Sequence, residues 1–128
     1  LRPGVPLVIW GSSYSAALVL RLAAEAPPDV VAVLAFSPAS GGPMADCRAE
    51  EVSDRITIPV LATRPASEME NESVSDQAAL FTSQGHAVYV SDPGTHGSSM
   101  LVAERVGGDV EATWRVVLEF LAANSAHR

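Results

Sequence analysis

The sequence predicts an α/β domain, a parallel sheet with helices on both faces, and three observations lead there. Short apolar runs at Val5 to Trp10, Val30 to Phe36 and Ile56 to Thr63, with a weakly alternating run at Ala87 to Ser91, read as four strands. Helical spacing of apolar residues fills the stretches between and after them, and strands alternating with helices pair in parallel. The 128 residues, 48% of them hydrophobic, hold enough apolar material for the core of one domain over 1–128.

The first strand is bounded by Pro6 and Gly11. A helix from Tyr14 to about Ala26 follows, with Ala17, Leu18, Leu22 and Ala26 at helical spacing and Pro27-Pro28 as its stop. The second strand is valine-rich, and Ser37-Pro38-Ala39-Ser40-Gly41-Gly42-Pro43 after it is a loop. A short helix is expected from Ala45 to Asp54, before the third strand with Pro59 near its start. Arg64 to Glu72 is polar and irregular. The next helix is expected from Ser73 to Gln84, with Ser73 and Asp76 resembling a capping box, Val74, Ala78 and Phe81 on its apolar face and Gly85 as its stop. After the fourth strand, Asp92-Pro93-Gly94-Thr95-His96-Gly97 has strong turn chemistry. A short helix over Ser98 to Val106 should end at Gly107-Gly108. Asp109 should then cap a final helix with Val110, Trp114, Val117, Leu118 and Leu121 on one face.

Eight Lys and Arg against fifteen Asp and Glu give a formal charge of −7. That balance argues against nucleic acid or an anionic membrane surface as partner. No apolar run approaches the roughly 20 residues that span a bilayer. A single cysteine, Cys47, excludes an internal disulfide and leans towards a reducing, cytoplasmic compartment. With no second cysteine or histidine near it, it supports no metal site, and no cofactor is implied.

In parallel sheets, chemistry collects in the loops beyond the carboxyl ends of the strands. The first such loop lies in Val8-Ile9-Trp10-Gly11-Ser12-Ser13-Tyr14-Ser15-Ala16-Ala17. A strand, a sharp small-residue turn and a helix hold a serine hydroxyl at the end of a sheet, with Ser13 at the centre of the turn. The usual pattern is G-x-S-x-G, and here Ser15 stands at the last position. The competing reading is a plain loop in which Ser12 or Ser13 caps the helix.

A serine nucleophile needs a base, and the base needs a partner that fixes its tautomer. His96 follows the last strand between residues that let the loop bend. His86 falls at the opposite end of the sheet and His127 in the C-terminal tail. The acid should follow the third strand: Glu68 is the choice, with Glu70 and Glu72 in the same loop as runners-up and Asp92 a weaker competitor. Glutamates in that loop would also favour the positive end of the next helix. The chain order nucleophile, acid, histidine differs from the chymotrypsin and subtilisin orders.

With these residues in place, the sequence resembles the α/β-hydrolase family, and within it the dienelactone-hydrolase-like branch. The segments carrying the resemblance are Gly11-Ser12-Ser13-Tyr14-Ser15-Ala16, Ala35-Phe36-Ser37-Pro38, Ile58-Pro59-Val60-Leu61 and Gly94-Thr95-His96-Gly97-Ser98-Ser99. The resemblance implies the last four strands of that fold, with Ser13 as nucleophile, His96 as general base, Glu68 at the acid position and the Tyr14 N–H as one oxyanion-hole donor. Dienelactone hydrolase itself has a cysteine at the elbow, so its substrate does not carry over to Ser13. The family's second oxyanion donor comes from an early loop with no counterpart here.

The expected activity is a serine hydrolase acting on a small ester-type substrate through an acyl-enzyme. The chain is expected to be truncated relative to the functional enzyme, the remaining half being supplied by another segment or by self-association through the edge of the first strand. The alternative is a non-catalytic domain of the same fold that binds a ligand or partner.

Overall fold

The computed structural model describes residues 2–40 and 46–127. Its four strands, β1 (Leu7–Ser12), β2 (Val30–Phe36), β3 (Val60–Pro65) and β4 (Ala87–Ser91), form one sheet in the order β1-β2-β3-β4, every pair parallel. The helices are α1 (Tyr14–Ala24), α2 (Glu72–Ser83), the single turn α3 (Ala103–Val106) and α4 (Glu111–Asn124). The α/β class read from the sequence is thus the class observed.

Strand alternation sorts the core into two clusters. Val33 and Ala35 of β2 and Val60 and Ala62 of β3 point to one face, where they meet Ala16, Ala17, Leu20 and Ala23 of α1 and Phe81 of α2. Leu34, Phe36 and Leu61 point to the other, where they meet Met100 and Leu101 of the 3₁₀ turn Gly97–Leu101 and Val117 of α4. Both faces of β2 are apolar because both are covered.

Several expected boundaries move. The strand expected over Ile56 to Thr63 begins at Val60 and runs to Pro65. Ile56 donates its N–H to Ser53 O at 3.2 Å, which closes a 3₁₀ turn and keeps that residue out of the sheet. Of the helix expected from Ala45 to Asp54, Ala45 lies outside the described residues. The rest forms two 3₁₀ turns, Ala49–Glu51 and Ser53–Arg55, broken by Val52 at φ −127°. The stretch from Gly97 splits likewise into a 3₁₀ turn, Gly97–Leu101, and α3. α2 starts one residue early, because Asn71 Oδ1 accepts the Ser73 N–H at 3.0 Å and is the cap that Ser73 was expected to be. α4 starts at Glu111 with Val110, expected on its face, as the N-cap residue; Asp109, expected to be the cap, lies one place earlier, its Oδ1 accepting the Glu111 N–H at 2.8 Å.

Two helix faces are rotated from the expected ones. α1 buries Ala16, Ala17, Leu20 and Ala23, leaving Leu18 and Leu22 51% and 48% exposed, and Ala26 lies beyond its end. α4 buries Thr113 and Val117, while Leu118 is exposed and Trp114 lies at the rim, its Nε1–H donating to Leu101 O at 2.8 Å. Trp10 on β1 touches Phe36 edge-on, with ring centroids 5.3 Å apart, yet remains 56% exposed.

No helix is long and apolar enough to cross a membrane among the described residues.

Candidate active site

The carboxyl ends of the four strands bring Ser13, Ser37–Ser40, Ala66–Asn71 and Asp92–His96 to one edge of the sheet. Ser13, Tyr14, Glu68 and His96 border a single cleft there of about 610 Å³.

The turn holding Ser13 is strained. Ser13 sits at φ 60°, ψ −118°, a region L-residues avoid at a cost of about 1–3 kcal/mol. Its N–H donates to Phe36 O at 2.9 Å, and its carbonyl accepts from Ala16, Ala17 and Ala39 N–H at 3.1–3.3 Å, so neighbouring backbone fixes the strained residue. Strand and helix approach closely enough that only glycine fits at position 11. A Cβ there would overlap Ser15 O and stand 2.5 Å from Ser15 C and 2.7 Å from Ala16 N.

Ser15, where a glycine was expected, is accommodated by bonding. Its Oγ accepts the Ser12 N–H at 2.8 Å and donates to Ser12 O at 2.8 Å, which ties the two sides of the turn together. Ser15 is exposed, so its side chain fits at this position.

His96 comes from the loop after β4. Ser98 N–H donates to Ser12 Oγ at 3.0 Å, and Gly97 N–H donates to Ser37 Oγ at 2.9 Å. Two serine hydroxyls, each next to a strand end, thereby pin the histidine loop to the elbow. Gly97 has φ 70°, and a Cβ on it would overlap Ser12 Oγ. The His96 ring is 57% exposed, facing the cleft mouth.

Of the acidic candidates, Glu68 meets His96: its Oε1 bonds Nδ1. Glu70, Glu72 and Asp92 are exposed, and Glu72 is the first residue of α2. A carboxylate only accepts, so in a neutral ring this bond assigns the proton to Nδ1 and leaves the lone pair on Nε2.

The sequence reading missed the other partner of Glu68. Arg64 Nη1 donates to Glu68 Oε2 at 2.8 Å, and Nη2 donates to Pro38 O and Gln77 Oε1. The Arg64 residue is 3% exposed. Burial pushes the guanidinium's pKa down from its ordinary value, and the bond and charge of Glu68 push it back up. Gln77 continues the chain, donating to Glu50 Oε1 at 3.1 Å, and Glu50 pairs with Arg48 at 2.8 Å.

The two discounted histidines serve other ends. His86 Nε2 bonds Ser53 O at 2.9 Å, and His127 Nε2 lies 3.1 Å from Gly4 O and 3.4 Å from Asp29 Oδ1. Cys47 is free and exposed. Among the described residues, no group of three or more His, Cys, Asp or Glu is placed to hold a metal ion.

The fold and site define an α/β domain in which a strained serine turn and a carboxylate-held histidine line the same cleft. No family model matches the chain, and no curated protein matches it.

Proposed function

We propose that the protein is a serine hydrolase of α/β-hydrolase type acting on small, uncharged, polar esters. The observation that carries this reading is Ser13 on a strained turn at φ 60°, sharing a cleft with His96, whose Nδ1 is bonded by Glu68. A strained elbow is the usual setting of an exposed nucleophilic serine.

In the proposed reaction, Ser13 Oγ attacks the ester carbonyl while His96 Nε2 takes the hydroxyl proton. Glu68 holds the tautomer that leaves Nε2 free and stabilises the imidazolium that forms. Tyr14 is the first residue of α1, so its N–H has no partner within the helix and can donate to the oxyanion. The positive end of the α1 dipole favours the same charge. Collapse of the tetrahedral intermediate breaks the ester C–O bond, and His96 passes its proton to the departing alcohol. Water, deprotonated by His96, then attacks the acyl-serine, releasing the acid and restoring Ser13.

The substrate class follows from the cleft wall. Ser40, Ser67, Asn71 and Ser73 line it beside Ala39 and Val74, so the wall mixes hydroxyl and amide groups with apolar ones. The lining cation, Arg64, is buried and engaged with Glu68, which leaves it unavailable to a substrate carboxylate. A short polar ester fits this wall better than a long hydrocarbon chain.

The experiment is fluorophosphonate labelling paired with hydrolysis of a chromogenic short-chain ester. Labelling confined to Ser13, with hydrolysis lost in Ser13→Ala, is the expected result. Equal hydrolysis by the parent and Ser13→Ala would overturn it. Absence of labelling on well-folded protein would favour a binding domain, a reading favoured by the half-exposed Trp10, Tyr14, Leu18 and Leu22.

A further inference from the structure

We propose that Arg64 is a positioning residue for the histidine: it fixes the Glu68 carboxylate so that only Oε1 is presented to His96 Nδ1, and thereby sets the tautomer of His96. The inference rests on the proposed serine-hydrolase reading for its catalytic consequence, but the tautomer itself can be observed without any activity.

Glu68 lies in a 3₁₀ turn (Ala66–Glu70) between β3 and α2. A glutamate there has three side-chain torsions and two equivalent oxygens, and alone it would point into water. Arg64 removes that freedom. Its Nη1 holds Oε2 at 2.8 Å, with the carboxylate side chain 20% exposed and the guanidinium side chain 4% exposed. With Oε2 held, Oε1 is the oxygen left for His96.

The guanidinium is itself fixed. It enters from the carboxyl end of β3, and Nη2 bonds the Pro38 carbonyl beside the Ser37 turn and Gln77 Oε1 on α2. Gln77 cannot swing away, because its Nε2 donates to Glu50 Oε1 at 3.1 Å and lies 3.4 Å from Ala39 O. The charged groups around Arg64 are Glu68 on its own side and Glu50, reached through Gln77, on the other. A planar fork with several donors can satisfy these acceptors together, and a lysine ammonium cannot reproduce that geometry.

The same cation joins three segments that each carry a piece of the site. Pro38 follows Ser37, whose hydroxyl receives the Gly97 N–H next to His96. Glu68 contacts His96 directly, and Gln77 belongs to the helix after the acid loop. Arg64 therefore aligns the acid against the histidine loop, and it contacts neither the serine nor a reacting atom.

The test reads the ring ¹⁵N chemical shifts of His96 in the full chain, at a pH where the ring is neutral. The parent should show the Nδ1–H tautomer. In Arg64→Ala the ring should relax towards the mixture of a free imidazole, and Arg64→Lys should fall between the two. Adding millimolar guanidinium to Arg64→Ala should restore the Nδ1–H form, whereas urea, of the same shape and uncharged, should not. An unchanged tautomer in Arg64→Ala, or equal restoration by urea, overturns the proposal. If Arg64→Ala fails to fold, Arg64→Lys and Gln77→Leu take its place, and a parental tautomer in both overturns it equally. For catalysis, Arg64→Ala should lower kcat by about 10²-fold with KM within about twofold, the scale expected for a misplaced reacting group. A shifted tautomer in a chain with no esterase activity would retain the positioning role and reject the hydrolase reading, so the two failures are separable.

Discussion

The substitution Gly11→Ala tests the elbow by adding one methyl group where the backbone leaves no space. The added Cβ would stand 2.5 Å from Ser15 C and 2.7 Å from Ala16 N. Ordinary carbon contacts lie at about 3.5–4.0 Å. The first turn of α1 must therefore retreat from β1 by roughly 1 Å, and because the obstacles are backbone atoms, no rotamer change relieves them. Retreat is opposed by Ala16 and Ala17, both 0% exposed against the sheet. Overpacking of this kind costs about 1–3 kcal/mol, and a backbone obstacle places it near the upper end. At roughly 3–5 °C per kcal/mol for a chain of this length, the Tm should fall by about 10 °C or more. Thermal melts followed by circular dichroism, with urea midpoints at an unchanged m-value, measure the loss. Gly4→Ala is the control: it also has a positive φ, 80°, but nothing lies within 4 Å of its Cβ, so it should cost only about 1 kcal/mol. A loss at Gly11 no greater than that at Gly4 would refute the close approach of β1 and α1.

Ser15→Ala removes the hydroxyl that bridges Ser12 N–H and O, and should lower the urea-derived stability by about 1 kcal/mol. It should also slow fluorophosphonate labelling of Ser13, because the turn loosens. Leu20→Ala, at a site 1% exposed, should cost about 2–5 kcal/mol, whereas Leu18→Ala, at a site 51% exposed, should cost under about 1 kcal/mol. Equal losses at the two would contradict the observed face of α1. Asn71→Ala should destabilise by about 1 kcal/mol through loss of the α2 cap, measured by the same denaturant titration.

What the sequence made legible was whatever a local pattern encodes. Val30 to Phe36 could be read as a buried strand because apolar residues on both faces require cover on both faces. Ser13 stood out because a strand, small residues and a helix follow each other without a gap. His96 and Glu68 were found by the rule that loops at one end of a parallel sheet converge. Arg64 was not found, because a buried cation is recognisable only once its partners are known, and Pro38, Glu68 and Gln77 lie up to 26 positions away. Ser12 and Ser37 were missed for the same reason: their acceptor roles towards Ser98 and Gly97 are long-range. The face of α1 was misjudged because leucine outweighs alanine in any hydropathy pattern. The close approach at Gly11 instead sets Ala16 against β1, and the helix face that continues from it buries Ala17, Leu20 and Ala23 and turns Leu18 and Leu22 away.

The strand order has a consequence for Trp10. Each step from β1 to β4 moves the chain one place in the same direction. Right-handed crossovers therefore deposit every intervening connection on a single face, where α1 and α2 are found. Among the described residues, the opposite face receives a helix only after the last strand, and α4 lies over the β2–β3 core and β4 rather than over β1. Trp10 is on that second face, beyond the reach of α4. Lengthening any loop between two of these strands would thicken the first face and leave the indole bare. Trp10 emission, shifting to shorter wavelength on burial, is thus a built-in sensor for anything that adds to this sheet.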